Sequence, residues 1–391
     1  MSRHNDISQY LRDLIPVTFE LETAEEFQVI GTGPVQFKVT LKKELPRREL
    51  LRSTSLALGE AYMRGDLEVD RDLYEVLDLF LGEMGKFKRN NWALHTILHT
   101  SLSEKNQKKE VSSHYDIGNE FYELWLDETM SYSCGYFRKP KDTLFEAQVG
   151  KTDHILQKLQ LKKGMTLLDI GCGWGFLMKR AVEHYGVKTV GITLSEEQYR
   201  KIQEEIKEQH LEDRMEVRLM DYRELGQEFG REKNLFDRVV SVGMLEHIGR
   251  GNYEKFLEQV ECVMKPGGLF LLHFISAQKE HGGDPWIRKY IFPGGVIPSL
   301  REIMNLLPEY QFCTLDVESL RRHYVKTLLC WRENFQKNQK KIEAMRGEEF
   351  TRMWELYLAS CAAAFHNGIV DLHQILMSKG INNGLAMVRE V

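Results

Sequence analysis

No run of about 18 apolar residues occurs in this sequence, so no helix is expected to span a bilayer, and any membrane contact should be peripheral. The first fifteen residues carry Arg3, Asp6, Arg12 and Asp13 and lack an apolar core segment, so no secretory signal is expected. The six cysteines, Cys134, Cys172, Cys262, Cys313, Cys330 and Cys361, form no CxxC pair. That argues against a zinc site or a disulfide framework and fits a reducing, cytoplasmic compartment. There is no HExxH, no Ser-His-Asp arrangement and no metal-ligand pair, so no metal is expected. Positive charge is not in excess either: the net charge is −5 and the pI about 6.3, which gives no reason to expect a nucleic-acid partner. Internal repeats and low-complexity tracts are missing. What remains is 391 residues, 42% hydrophobic and 28% charged, enough for two or three globular domains.

Residues 1–100 read as one small α+β domain. Val35, Phe37, Val39 and Leu41 alternate with other residues, as in a half-buried strand, after a turn at Gly31-Thr32-Gly33-Pro34. Leu73, Val76, Leu77 and Phe80 then recur at helical spacing. A polar linker is placed at 101–113, and a second domain at 114–391. In that domain strands are expected at 166–170, 188–194, 215–220, 236–242 and 269–275. Helices are expected at 176–185, 196–210 and 253–264. Strand–helix alternation of this kind predicts βαβ units and a mostly parallel sheet covered on both faces. The span 277–391 reads as helix-rich.

The strongest local signal is Asp169-Ile170-Gly171-Cys172-Gly173-Trp174-Gly175, where a strand ends and a helix begins. Phe176 stands where a dinucleotide GxGxxG needs glycine, and no Gly-Lys-Ser/Thr follows, so neither a pyrophosphate loop nor a Walker loop fits. An acidic residue ahead of GxGxG suits S-adenosylmethionine (SAM), whose cationic sulfonium replaces the pyrophosphate. Ser195 and Gln198 have capping-box spacing at a helix start, which explains both structurally. Ligands also sit at strand ends, so Thr193 and Gln198 are equally candidates for SAM contact. Asp221-Tyr222-Arg223 holds the corresponding place after the third strand. His273 lies in an apolar strand and reads on its own as a core histidine bonded to neighbouring backbone. Glu246 reads as a helix-start carboxylate, Cys134 as a small buried apolar group and Tyr324 as core.

Six ordered blocks go further. They are residues 114–119 (HYDIGN), 132–137 (YSCGYF), the glycine loop, 245–249 (LEHIG), 272–275 (LHFI) and 284–295 (DPWIRKYIFPGG), with Leu58-Gly59-Glu60-Ala61-Tyr62 upstream. The chain resembles the cyclopropane-fatty-acyl-phospholipid synthases over nearly its whole length. Leu245 stands where that family usually has Phe, and Gly135 where it often has Ala. The extended N-terminal unit sets the resemblance apart from mycolic-acid cyclopropane synthases. It implies an α/β, Rossmann-like methyltransferase fold with a mostly parallel seven-stranded sheet flanked by helices, and a smaller N-terminal domain that dimerises or docks on lipid. It also implies transfer of a methylene from SAM to a cis double bond of an unsaturated phospholipid, at the inner face of the cell membrane, by a homodimer.

In that family a bound bicarbonate is the base. The positions matching its cradle are Cys134 (through its backbone amide), Glu246, His273, Ile275 (backbone) and Tyr324, with Glu246 and His273 holding the ion and relaying its proton. SAM contacts map to Tyr132, Ser133, Asp169, Gly171, Gly173, Gly175, Thr193, Gln198, Tyr222 and Arg223. Rival readings are a methyltransferase that stops at a branched or hydroxylated lipid, and a lipid- or SAM-binding module. Two basic stretches are candidate docking surfaces. Residues 81–110 have six cations against three acids, and residues 321–346 have eight against two. The alternative for each is a solvated helix face.

Overall fold

Residues 17–87, 118–230 and 235–387 are described by the computed structural model. The expected linker 101–113, residues 114–117 of the first block, and Lys88, Arg89, Lys105, Lys108 and Lys109 lie outside them. The chain divides into two units. Among the described residues the first holds 17–87, 283–293 and 328–370, and the second holds the rest. Two stretches after residue 114, 283–293 and 328–370, thus group with the N-terminal residues. The reason is their apolar faces. The helix Glu348–His366 buries Trp354, Tyr357, Leu358 and Phe365, and packs on the helices Thr54–Met63 and Leu73–Phe87.

In the first unit, β1 (Phe19–Thr23) is antiparallel to β2 (Phe27–Ile30) and parallel to β3 (Lys38–Leu41). β4 (Leu67–Val69) closes the order β2-β1-β3-β4. Phe19, Leu21, Ile30, Phe37, Leu50, Ala61 and Val76 form its core, with the Phe19 and Phe37 rings stacked at 5.4 Å. Two resemblance blocks meet here. The Trp286 indole lies against Gly59, and the Glu60 carboxylate accepts from Lys289 Nζ (2.6 Å) and Tyr290 OH (2.9 Å). The second basic stretch is partly spent on structure. Arg332 is buried in ion pairs with Asp72 and Glu355, and Leu328 and Trp331 are core residues, whereas Lys337, Lys340 and Lys341 are exposed. Among the described residues no helix is long and apolar enough to cross a membrane.

The second unit is built on a seven-stranded sheet. Five strands follow the expected positions: β5 (Thr166–Ile170), β6 (Lys188–Thr193), β7 (Met215–Leu219), β8 (Phe236–Val242) and β9 (Met264–Ala277). Two more, β10 (Phe312–Ser319) and β11 (Val370–Lys379), lie in the stretch read as helix-rich. The order is β10-β11-β9-β8-β5-β6-β7, with β5 to β9 parallel and β10 antiparallel to β11. Leu167, Leu168, Val239, Val240 and residues 269–272 are fully buried, as expected of strands covered on both faces. The chain leaves β5 in one direction toward β6 and β7, and returns on its other side as β8 and β9. That reversal opens a crevice at the C-terminal ends of β5 and β8, where ligands of open α/β sheets bind.

Candidate active site

The loop after β5 turns tightly. Gly171, Gly173 and Gly175 have φ of +83°, +56° and +87°, and the Gly171 and Cys172 N–H groups both donate to the Ile192 carbonyl at the end of β6. At Gly173 an added Cβ would meet nothing within 4 Å, so the backbone conformation rather than crowding requires glycine there. The loop, β6, the strand end of β8 and residues 129–133 line a cavity.

Tyr132, Ser133, Asp169, Gly171, Gly173, Thr193, Gln198 and Tyr222 all line this cavity. Gly175 and Arg223 do not. Gly175 instead starts the helix Phe176–Tyr185, and Arg223 is held by Asp221 through hydrogen bonds of 2.9 and 2.7 Å. Both readings of Ser195 and Gln198 meet in one place. Ser195 Oγ caps the Gln198 N–H, and Gln198 Oε1 accepts from Thr193 Oγ1 at 2.8 Å beside the cavity. The Tyr222 hydroxyl is buried with no hydrogen-bond partner among the described residues, and burial raises its pKa to about 12. Burial raises the Asp169 carboxyl to about 7 against the pull of the Lys151 charge.

Lys151 is a cavity residue that the sequence did not single out. It is buried, donates to Ser133 Oγ at 3.0 Å, and is lowered by burial to about 8. The signal was available in the helix Leu144–Lys158, whose buried stripe runs Leu144, Ala147, Lys151, His154, Ile155 and Lys158. Charged groups sit there where helical spacing calls for apolar ones. His247 and Met244 also line the cavity, and burial lowers the His247 pKa to about 4.

Cys134, Glu246, His273, Ile275 and Tyr324 do not line this cavity; their bonds lead instead to β9 and β11. Glu246 is buried, and its Oε1 accepts the Ile275 N–H at 2.6 Å. The Ile275 amide therefore serves the carboxylate and acts through it. Glu246 Oε2 has no partner among the described residues, and burial raises the carboxyl to about 7. His273 lies two residues earlier on β9, on the same face of the strand. Its Nδ1 meets Gln374 Nε2 at 3.2 Å, its Nε2 is buried without a partner, and burial with the Lys151 and Lys158 charges lowers its pKa to about 3. The backbone bond expected for a core histidine is thus replaced by a side-chain one.

The remaining two residues are joined through Leu320. Its carbonyl accepts the Tyr324 N–H at 3.1 Å and lies 3.9 Å from Cys134 Sγ. The Leu320 N–H donates to the Leu372 carbonyl on β11, two residues before Gln374. The Cys134 thiol is wholly buried, also donates to the Gly135 carbonyl, and is pushed up by burial, away from the thiolate form.

This geometry has close relatives. The family model for mycolic acid cyclopropane synthetase matches residues 102–375, and a domain of unknown function matches residues 4–92. The chain is 37% identical over 376 residues to a "Probable fatty acid methyltransferase" of Pseudomonas putida, covering 95% of this chain and 93% of that one. It is 37% identical over 381 residues to the cyclopropane-fatty-acyl-phospholipid synthase of Escherichia coli K12, covering 95% and 94%. Among solved structures, mycolic acid cyclopropane synthase CmaA1 in complex with SAH and CTAB superposes with a TM-score of 0.65 at 35% identity, covering 70% of this chain and 98% of that one. The glycine loop at the sheet's reversal, the buried Glu246 and His273 beyond it and these matches agree: the chain belongs to the cyclopropane/mycolic acid synthase family of SAM-dependent methyltransferases.

Proposed function

We propose that this chain transfers a methylene from SAM to the cis double bond of an unsaturated phospholipid acyl chain, closing a cyclopropane ring with bicarbonate bound beside Glu246 and His273. The phospholipid assignment is supported by the likeness to the E. coli enzyme, which runs through 95% of this chain and so includes the N-terminal residues, whereas the mycolic-acid synthase structure covers 70%. The observation that carries the chemistry is the pair of buried, unpartnered atoms Glu246 Oε2 and His273 Nε2. Leaving such atoms unsatisfied costs about 1–3 kcal/mol each; His273 lies on β9 and Glu246 is bonded to the same strand at Ile275, which supports a further group held there. Bicarbonate fits, since it both donates and accepts. Glu246 and His273 would hold it, with Ile275 acting through Glu246; Cys134 and Tyr324 complete the cradle that the family resemblance implies. When bound, the ion supplies the base that removes a proton from the newly added methyl.

The chain's own residues do the rest. An alkene is a weak neutral nucleophile, so it must be held close to the sulfonium methyl and in line with it. Asp169, Thr193, Gln198 and Tyr222 fix the SAM side of that pair. The cation that follows survives only where water is excluded. Burial of Glu246, His273, Cys134 and Tyr324 supplies that dryness, and the Tyr324 ring can face the positive charge. Exposed Lys337, Lys340 and Lys341 support peripheral docking on an anionic membrane, where each cation contributes about 1 kcal/mol.

Turnover with SAM and unsaturated phospholipid vesicles, read by product mass and by loss of the alkene signal, tests the proposal. The expected product gains one CH₂, contains no alkene, and forms more slowly when bicarbonate is depleted. Glu246→Gln and His273→Ala should lose most of kcat while SAM affinity by calorimetry is unchanged; equal loss of SAM binding would reject their assignment. The match to the P. putida protein keeps a second reading in view, methyl transfer without ring closure. A product that gains mass but keeps its double bond would select it.

A further inference from the structure

We infer that Lys158 and Gln374 are positioning residues that lock His273 in one tautomer, with its proton on Nε2, so that it acts as a fixed hydrogen-bond donor. The donors around Lys158 decide the direction of each bond. The Lys158 ammonium has three N–H groups and three acceptors: Glu318 Oε2 at 2.5 Å, Asp316 Oδ2 at 3.2 Å and Gln374 Oε1 at 3.1 Å. An ammonium donates and never accepts, so the amide oxygen of Gln374 must face it, and the NH₂ must face the other way. Gln374 is fully buried, and that NH₂ lies 3.2 Å from His273 Nδ1. An amide NH₂ has no acceptor to offer, so Nδ1 is the accepting, unprotonated nitrogen. In a neutral imidazole the proton is then on Nε2, the nitrogen left without a partner.

Strand register explains why this chain of bonds holds its direction. Glu318 on β10 is paired with Gln374 on β11, and Asp316 lies two residues before Glu318, on the same face beyond a bulge at 314/316. The His154 ring reinforces the acceptor side at 2.7 Å from Glu318 Oε2. Forming the imidazolium would place a new N–H on Nδ1, against the NH₂ of Gln374 with the Lys158 charge behind it. His273 is therefore poorly suited to relay a proton, which revises the expectation drawn from the family resemblance. Its low pKa agrees. The assignment bears on chemistry only through the anion site proposed above, but the tautomer itself belongs to the ligand-free protein.

¹⁵N-histidine labelling of the full chain tests it, with the His273 signals among the 13 histidines assigned by their loss in His273→Asn. The expected spectrum has a protonated Nε2 and a bare Nδ1, unchanged from about pH 5.5 to pH 8. A protonated Nδ1, or an imidazolium in that range, overturns the inference. Gln374→Glu should reverse the pattern, because a carboxylate accepts on both sides, and should lower kcat about 10- to 100-fold with KM for SAM unchanged. Reversal with kcat unchanged would refute the positioning role. Bicarbonate forms a separate arm: if the expected tautomer is seen but the Nε2 signal does not respond to bicarbonate, the anion reading fails and the tautomer stands.

Discussion

Replacing Glu246 by glutamine should stabilise the protein while removing its turnover, and the gain should depend on pH. Burial raises this carboxyl from 4.5 to about 7, against the lowering effect of the Ile275 N–H. The native state therefore binds the proton more tightly than the unfolded chain does. Between about pH 4.5 and pH 7 the native protein holds a proton that the unfolded chain has lost, so stability falls as pH rises through that window. At about 1.4 kcal/mol per unit, the displacement costs roughly 3 kcal/mol by pH 8. Glutamine keeps an oxygen for the Ile275 N–H and carries no charge. Its second amide atom is unpartnered, as Oε2 is, but that cost does not vary with pH. The difference in unfolding free energy between Glu246→Gln and the native chain should thus shift in the variant's favour by about 2–3 kcal/mol from pH 5 to pH 8. Urea unfolding at the two pH values measures it. Turnover at pH 7 should fall by about 100-fold or more. A stability difference that stays constant, or narrows toward pH 8, would refute the account of this buried carboxyl.

Lys151→Met removes the cation that offsets the burial of Asp169, so Asp169 should move further toward its neutral form and SAM affinity should drop by about tenfold or more; calorimetry showing native affinity would contradict this. Cys134→Ser should keep most of its activity, because the buried thiol is far from ionised; a dead variant that still binds SAM would give the sulfur a direct role. Gly59→Ala should destabilise the protein, since the new Cβ would lie 2.4 Å from Trp286 Cδ1. Overpacking of about 1–3 kcal/mol outweighs the gain of about 1 kcal/mol in helix propensity, and pairing the change with Trp286→Leu should recover part of the loss in a urea melt. Reversing Lys337, Lys340 and Lys341 to Glu should cut activity on anionic vesicles and spare it on detergent-dispersed lipid; equal loss on both would point to damaged folding.

The parallel half of the fold was legible because each of its elements declares itself locally. β5, β6 and β8 are short, mostly apolar runs, β7 alternates apolar and charged residues, and the helices between them carry their own apolar stripes, so period and length suffice. β10 and β11 were not read. β10 sits at the sheet edge with Cys313 and Thr314 exposed, and its alternation is broken by the bulge, while β11 follows directly on a long helix. Nor does an amphipathic helix name its partner: the stripe of Glu348–His366 is evident, but its burial against helices near the N-terminus is not. The same limit applies to the site. Asp169 and its glycines are contiguous and were found. The bond from Lys158 to Gln374 spans 216 positions, and only the out-of-place charges on the Leu144–Lys158 stripe hinted at it.

The place of β11 in the sheet has a consequence for biosynthesis. A ribosome releases β10 before the strand that separates it from β9, so β10 has no neighbour to pair with until residues 370–379 emerge. The N-terminal helices wait longer for Glu348–His366. At about 5–20 residues per second the side of these helices that meets the late helix, where Tyr62 and Asp78 lie, stays open for roughly a quarter of a minute to a minute. Both units are thus completed by residues 348–379, which emerge long after the elements they cover. A nonsense codon between about 320 and 348 would leave not one finished unit and one missing, but two unfinished ones, each exposing the surface that its late element was to cover.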